Sequence, residues 1–122
     1  MPDTVLVADD DAGVRQTVAA FLTAAGFEVH QTDNGDDALA LLTDPAQTFI
    51  AAVLDNRMPA LTGPEVLARV RATRSDFPVL VVSGSADAAT VAEVRSDPRA
   101  RFLAKPFHGP ALIAAVRELV HG

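Results

Sequence analysis

Val5-Leu6-Val7-Ala8-Asp9-Asp10-Asp11, the run VLVADDD at residues 5–11, sets an apolar stretch directly ahead of a cluster of carboxylates. A run that is apolar throughout is what a strand buried on both faces looks like, whereas a half-exposed strand alternates. The arrangement recurs along the chain. Residues 49–54 run into Asp55, residues 78–82 into Ser83, and residues 102–104 into Lys105. Segments of helical period separate these runs, and that alternation marks βα units around a parallel sheet. In an open α/β sheet helices cover both faces, so ligands bind in the crevice at the carboxyl ends of the strands. One edge of one sheet would then carry all the chemistry.

The remaining elements follow from the same signals. After Asp11, an N-cap residue type, apolar residues fall at Val14, Val18, Phe21, Leu22 and Ala25, and Gly26 stands where a left-handed C-cap is wanted. Residues 27–31 read as a second strand. Asn34 or Asp33 can cap a second helix over about residues 36–42, closed by Asp44 and Pro45. A loop over residues 56–63 precedes a third helix with Val66, Leu67 and Val70 on one face, ending before Phe77 and Pro78. Residues 88–95 form a helix by propensity, but only Val91 and Val94 offer it a buried stripe, and Pro98 stops it. This is the expected weakest helix. The last helix presents Leu112, Ile113, Val116, Leu119 and Val120 on one face. Five βα units result, with a break in strand order where the ligand crevice opens.

At 122 residues the chain has the size of one domain, spanning 1–122. A formal charge of −6 and the lack of any Lys/Arg run argue against nucleic acid as a direct ligand. The absence of cysteine excludes disulfides, thiolate metal sites and thiol nucleophiles. Residues 1–4 carry no signal-peptide pattern and no apolar run approaches membrane-spanning length, so a cytoplasmic protein without membrane insertion is expected. The aromatic residues are all Phe, which disfavours a base-stacking platform. His30, His108 and His121 are scattered without ligand spacing and read as ordinary polar residues.

Asp9, Asp10 and Asp55 would meet at neighbouring strand ends, where three carboxylates repel one another unless a cation intervenes. Mg²⁺ prefers oxygen ligands and keeps waters that a phosphate can replace, which suits one or two direct carboxylates. Asp9–Asp11 taken alone also suits a capping cluster at the positive end of the following helix. Lys105 offers a mobile point charge for a phosphate oxygen, or an ion pair with one of the carboxylates. Ser83 and Gly84 offer a hydroxyl and an accessible N–H, or simply a turn. Read together, these residues make Asp55 the best nucleophile for an aspartyl phosphate, with Mg²⁺, Lys105, Ser83 and the Gly84 N–H neutralising charge.

VLVADDD at 5–11, LDNRMP at 54–59, Gly63, VVSG at 81–84 and KPF at 105–107 occur in one order, each strand followed by its polar residue. With these motifs the chain resembles the receiver domain of two-component response regulators and hybrid histidine kinases, over nearly its whole length. The resemblance implies a flavodoxin-like doubly wound five-stranded parallel sheet of order 2-1-3-4-5 with five helices. It implies Asp55 as phosphoacceptor and Mg²⁺ (or Mn²⁺) held by Asp10, Asp55, the Arg57 backbone carbonyl and, through water, Asp9. Ser83, Gly84 and Lys105 would bind the phosphoryl group, Ser83 and Phe102 would form the switch pair, and a cis bond would join Lys105 to Pro106. The chain departs from the family pattern at Thr62, where an acid is common, at Phe102, where tyrosine is frequent, and at DPRAR over residues 97–101. That last segment borders the surface on which receivers commonly dimerise or bind outputs.

The expected activity is that of a phosphorelay switch, catalysing only its own phosphorylation and autodephosphorylation. Its partners would be a histidine kinase or histidine phosphotransfer protein, an output domain or protein, and a second copy in a phosphorylation-dependent homodimer. No output module follows the last helix, so a stand-alone receiver or a piece of a longer regulator is expected. An aspartyl-nucleophile phosphatase is the rival from the enzyme class, although such hydrolases commonly carry a second acid two residues after the first, where Arg57 stands here. A phosphorylation-independent pseudo-receiver would not need every phosphate-site residue type to be present. A flavodoxin would need a Ser/Thr/Gly-rich phosphate loop after the first strand.

Overall fold

Apolar runs and helical segments alternate in the computed structural model as β1 (Thr4–Ala8), α1 (Ala12–Ala24), β2 (Glu28–Thr32), α2 (Gly35–Thr43) and β3 (Phe49–Asp55). The second half continues as α3 (Gly63–Thr73), β4 (Val79–Ser83), α4 (Ala88–Arg95), β5 (Ala100–Ala104) and α5 (Gly109–His121). The structure describes residues 3–121; Met1 and Pro2, part of the stretch read above for a signal peptide, and Gly122 lie outside the described residues.

All strands are parallel in one sheet of order β2-β1-β3-β4-β5. The three central strands are almost wholly buried, while β2 and β5 at the margins are partly exposed. This explains their differing legibility. Strand alternation divides the core in two. Leu6, Ala52, Leu54, Val79 and Val81 pack with residues of α2, α3 and α4 on one face. Val5, Val7, Val53, Leu80 and Val82 pack with Leu22, Leu112, Val116 and others of α1 and α5 on the opposite face. The chain leaves β1 for β2 on one side and returns to β3 on the other, so the break in strand order falls between β1 and β3.

Local signals explain most element ends. Asp11, Asn34 and Asp87 accept hydrogen bonds from the first-turn N–H groups of Val14, Asp37 and Thr90 as N-caps. Thr62 and Glu65 form a capping box at α3, and the Thr62 N–H holds the Glu65 carboxyl below its usual range. The departure at Thr62 is thus a helix start. Gly26 has φ of +99°, the left-handed position expected after α1, although Ala25 is the cap residue and not part of the helix. Helix α4 buries Val94, leaving Val91 half-exposed, so it is even more weakly held than its sequence suggests.

One expectation needs correction at the margins. Strand β5 has five residues where three were expected, because the exposed Arg101 interrupts the apolar pattern without interrupting the pairing Leu80↔Arg101. The DPRAR segment is largely internal wiring. Arg71 of α3 places its guanidinium on both Asp97 oxygens, at 2.7 and 3.1 Å, and Asp97 also accepts from the Arg99 N–H at 2.8 Å. Arg99 reaches the carbonyls of Asp76 and Leu119 at 3.1 and 3.0 Å. The carboxyl end of α4 is therefore fastened to α3, to the entry of β4 and to α5. Only the exposed Arg101, 3.6 Å from Glu118, presents charge outward.

With side-chain exposures of 16% and 15%, the Arg71–Asp97 pair is mostly out of water. Asp97→Ala strands the guanidinium and should lower the unfolding free energy by about 2–4 kcal/mol. Denaturant unfolding checks this. A loss under about 0.5 kcal/mol, the size of an exposed pair, would contradict the internal role.

Candidate functional site

Register brings the polar residues together. Ala8 pairs with Leu54, so Asp9 leaves β1 beside Asp55 at the end of β3. Ser83 pairs with Ala104, so Lys105 emerges beside the end of β4, and its N–H donates to the Ser83 carbonyl at 2.8 Å. Carboxylate oxygens of Asp9, Asp10 and Asp55 lie within 4.8 Å of one another. Asp9, Asp55 and Ser83 are buried, with 3%, 7% and 4% of their surface exposed, whereas Asp10 faces solvent.

The Lys105 ammonium donates to Asp55 at 2.8 Å and to Asp9 at 3.2 Å. The ion pair anticipated with one carboxylate is made with two. Asp9 accepts from the Asp11 N–H at 2.9 Å, while the Asp11 carboxylate accepts from Val14 as the helix cap. Capping is therefore the work of Asp11, which leaves Asp9 and Asp10 to the crevice. Burial raises the Asp9 carboxyl above its ordinary 3.8, and the charge of Asp55 adds to this, against the Asp11 N–H and Lys105. Burial pushes the Lys105 amine down, but its bonds and attraction to Asp55 and Asp9 outweigh that and hold it above its ordinary 10.5.

The donor set fits a hard divalent cation. Three carboxylates stand against one ammonium, and every donor in the cluster is oxygen. Around this centre, the Ser83 hydroxyl oxygen accepts from the Ser85 N–H at 3.1 Å, and Gly84 is exposed. Arg57 is exposed in the loop after β3, a loop fastened where the Asn56 N–H meets the Val82 carbonyl at 2.8 Å and the Gly63 N–H meets the Asn56 carbonyl at 3.1 Å. A Cβ on Gly63 would fall 2.5 Å from the Asp55 carbonyl oxygen, so the α3 entry packs on the site backbone only with glycine there. The Lys105–Pro106 bond is cis. Phe102 lies mid-strand opposite Val81, half-buried against the α2–α3–α4 side of the core, one pleat below the Ser83–Ala104 pair and on the same face.

One residue of this neighbourhood escaped the sequence reading. Arg15, in the first turns of α1, donates to the Asp9 carbonyl at 2.9 Å and to Gln31 at 3.2 Å. Its signal is its position four residues after the Asp11 cap, which returns it to the strand end.

The family model for the response regulator receiver domain matches residues 5–117. The chain belongs to the response regulator receiver domain family. It is 35% identical over 116 residues to the transcriptional regulatory protein FixJ of Bradyrhizobium diazoefficiens, covering 95% of this chain and 56% of FixJ. The sensor kinase CckA of Brucella abortus is 32% identical, covering 96% of this chain and 12% of CckA. Among solved structures, the receiver domain of Francisella response regulator 1452 superposes with a TM-score of 0.87 at 28% identity, covering 98% of this chain and 97% of that one. The chain spans about half the length of regulators such as FixJ. As a receiver it is a module of phosphorelay signalling, and its strand order is the one the resemblance implied. Among the described residues no helix is long and apolar enough to cross a membrane.

Because the Asp9 carboxyl is raised on folding, the native state holds more protons than the unfolded chain between 3.8 and its folded pKa. The metal-free fold should lose that stabilisation as pH rises through this window. Carboxyl NMR should show Asp9 titrating above 3.8, and Lys105→Ala should push it further up by removing an opposing charge. A downward move in the variant would contradict the assigned causes.

Proposed function

We propose that this receiver takes a phosphoryl group onto Asp55 from the phosphohistidine of a histidine kinase or phosphotransfer protein. The observation that carries the reading is the Lys105 ammonium held between Asp55 and Asp9, at 2.8 and 3.2 Å, beside a buried Ser83 hydroxyl. A carboxylate oxygen of Asp55 attacks phosphorus, the P–O bond forms as the P–N bond of the donor breaks, and the departing imidazole nitrogen takes up a proton. Such transfer needs mainly positioning and charge neutralisation. Lys105 exchanges a carboxylate for a phosphoryl oxygen. Ser83 turns its hydroxyl from the Ser85 N–H to donate to the phosphoryl group, and the Gly84 N–H supports it. Asp10, Asp55, the Arg57 carbonyl and, through water, Asp9 would hold a divalent Mg²⁺ (or Mn²⁺), which when bound would supply neutralising charge for the phosphoryl oxygens.

Movement of Ser83 opens space on the face it shares with Phe102, and an inward Phe102 alters the surface of α4, β5 and α5. Helix α4 has room to respond. A cleft of about 410 Å³ lies between it and α3, lined by Asn56, Arg57, Thr62, Thr90 and Glu93 among others. The altered surface would meet an output domain or protein, or a second copy of the chain, in a cytoplasmic setting. Arg57, two residues after Asp55, leaves no second acid for an aspartyl-nucleophile phosphatase.

Intact-mass spectrometry after incubation with a small phosphodonor and Mg²⁺ should show one phosphoryl group gained by the wild type and none by Asp55→Asn, with circular dichroism unchanged. An amide is a poor nucleophile and a poorer metal ligand. A stable phosphoryl group on the variant would remove Asp55 as the acceptor.

A further inference from the structure

Asp10 is the exposed member of the acidic cluster, and among the described residues its carboxylate takes part in no hydrogen bond or ion pair. The backbone on either side of it is fixed. On the carboxyl side, the Asp11 N–H donates to the Asp9 carboxylate at 2.9 Å, which orients the Asp10–Asp11 peptide. On the amino side, the Asp9 carbonyl accepts from the Arg15 guanidinium at 2.9 Å. That carbonyl and the Asp10 N–H share one rigid peptide plane, so holding the oxygen holds Asp10. Arg15 is itself held by Gln31 of β2 at 3.2 Å, and the Asp9 N–H meets the Thr32 carbonyl at 3.2 Å.

We infer that Arg15 is a positioning residue for the cation site: it sets the Asp9–Asp10 peptide so that the Asp10 carboxylate joins Asp9 and Asp55, and it ties this geometry to the edge strand β2 through Gln31. A charged donor holds a carbonyl about twice as strongly as a neutral one, and its positive charge also eases the crowding of acids at the strand end. Partners of this kind behind a ligand tune metal affinity by about 10- to 100-fold. The inference rests on the cation site proposed above.

Isothermal titration with Mg²⁺ alone tests it on the intact chain. Arg15→Gln should weaken binding about tenfold, Arg15→Lys should recover most of that loss, and Gln31→Leu, at an exposed position, should weaken it about two- to threefold. In an Asp10→Asn background Arg15→Gln should have almost no further effect, because both act through the same carboxylate. A purely structural role would give additive losses and a lowered melting temperature. Wild-type binding with folded Arg15→Gln and Gln31→Leu variants that bind equally well would overturn this inference alone. Failure of the wild type to bind Mg²⁺ would overturn the cation site as well.

Discussion

A single ammonium group shared by two buried carboxylates governs the crevice. Asp9 and Asp55 stand at the ends of adjacent strands with almost no access to water, and burying such charges is unfavourable unless they are paired. Lys105 provides the pairing from β5, two strands from β3. The compensation is incomplete, since Asp10 adds a further charge and the Asp9 carboxyl remains raised. A cluster of this kind favours added positive charge, and on the proposed reading an arriving phosphoryl group would give Lys105 a new partner. The arrangement therefore favours exchange over permanence.

The sheet makes this centre possible, and the helices make it communicable. Three almost wholly buried central strands fix the site ends, and Gly63 lets the α3 entry close against the Asp55 backbone. Beside this rigid frame α4 buries Val94 and is fastened at its carboxyl end through Asp97 to Arg71. Its amino end, nearer Ser83, borders an open cleft. On the proposed reading, a helix with one buried side chain and a fastened carboxyl end would carry the effect of a charge at Asp55 to the α4–β5–α5 surface.

The candidate site was legible in the sequence because each of its polar residues or clusters stands directly behind a short apolar run, so position along the chain fixes position at the rim. Asp9, Asp10, Asp55, Ser83 and Lys105 all obey this. Residues whose roles depend on side-chain reach across elements were not legible. Arg15 acts through a guanidinium that bridges α1 and β2 to a backbone oxygen, and helical periodicity describes it only as a polar position. Asp97 belongs to a segment that departs from the family pattern, and its ion pair with a residue 26 positions away has no local signature. The marginal strands were read short or shifted by one residue because edge strands expose side chains and so lose the continuous apolar run.

The most direct test of the exchange at Lys105 is a crystal structure of the chain with Mg²⁺ and beryllofluoride, a phosphoryl mimic. Beryllium is expected on an Asp55 oxygen, with the Lys105 ammonium moved from the carboxylates onto a fluoride and the Ser83 hydroxyl turned from the Ser85 N–H toward the same group. Lys105 still bound to both Asp9 and Asp55, or the mimic seated on another carboxylate, would contradict it.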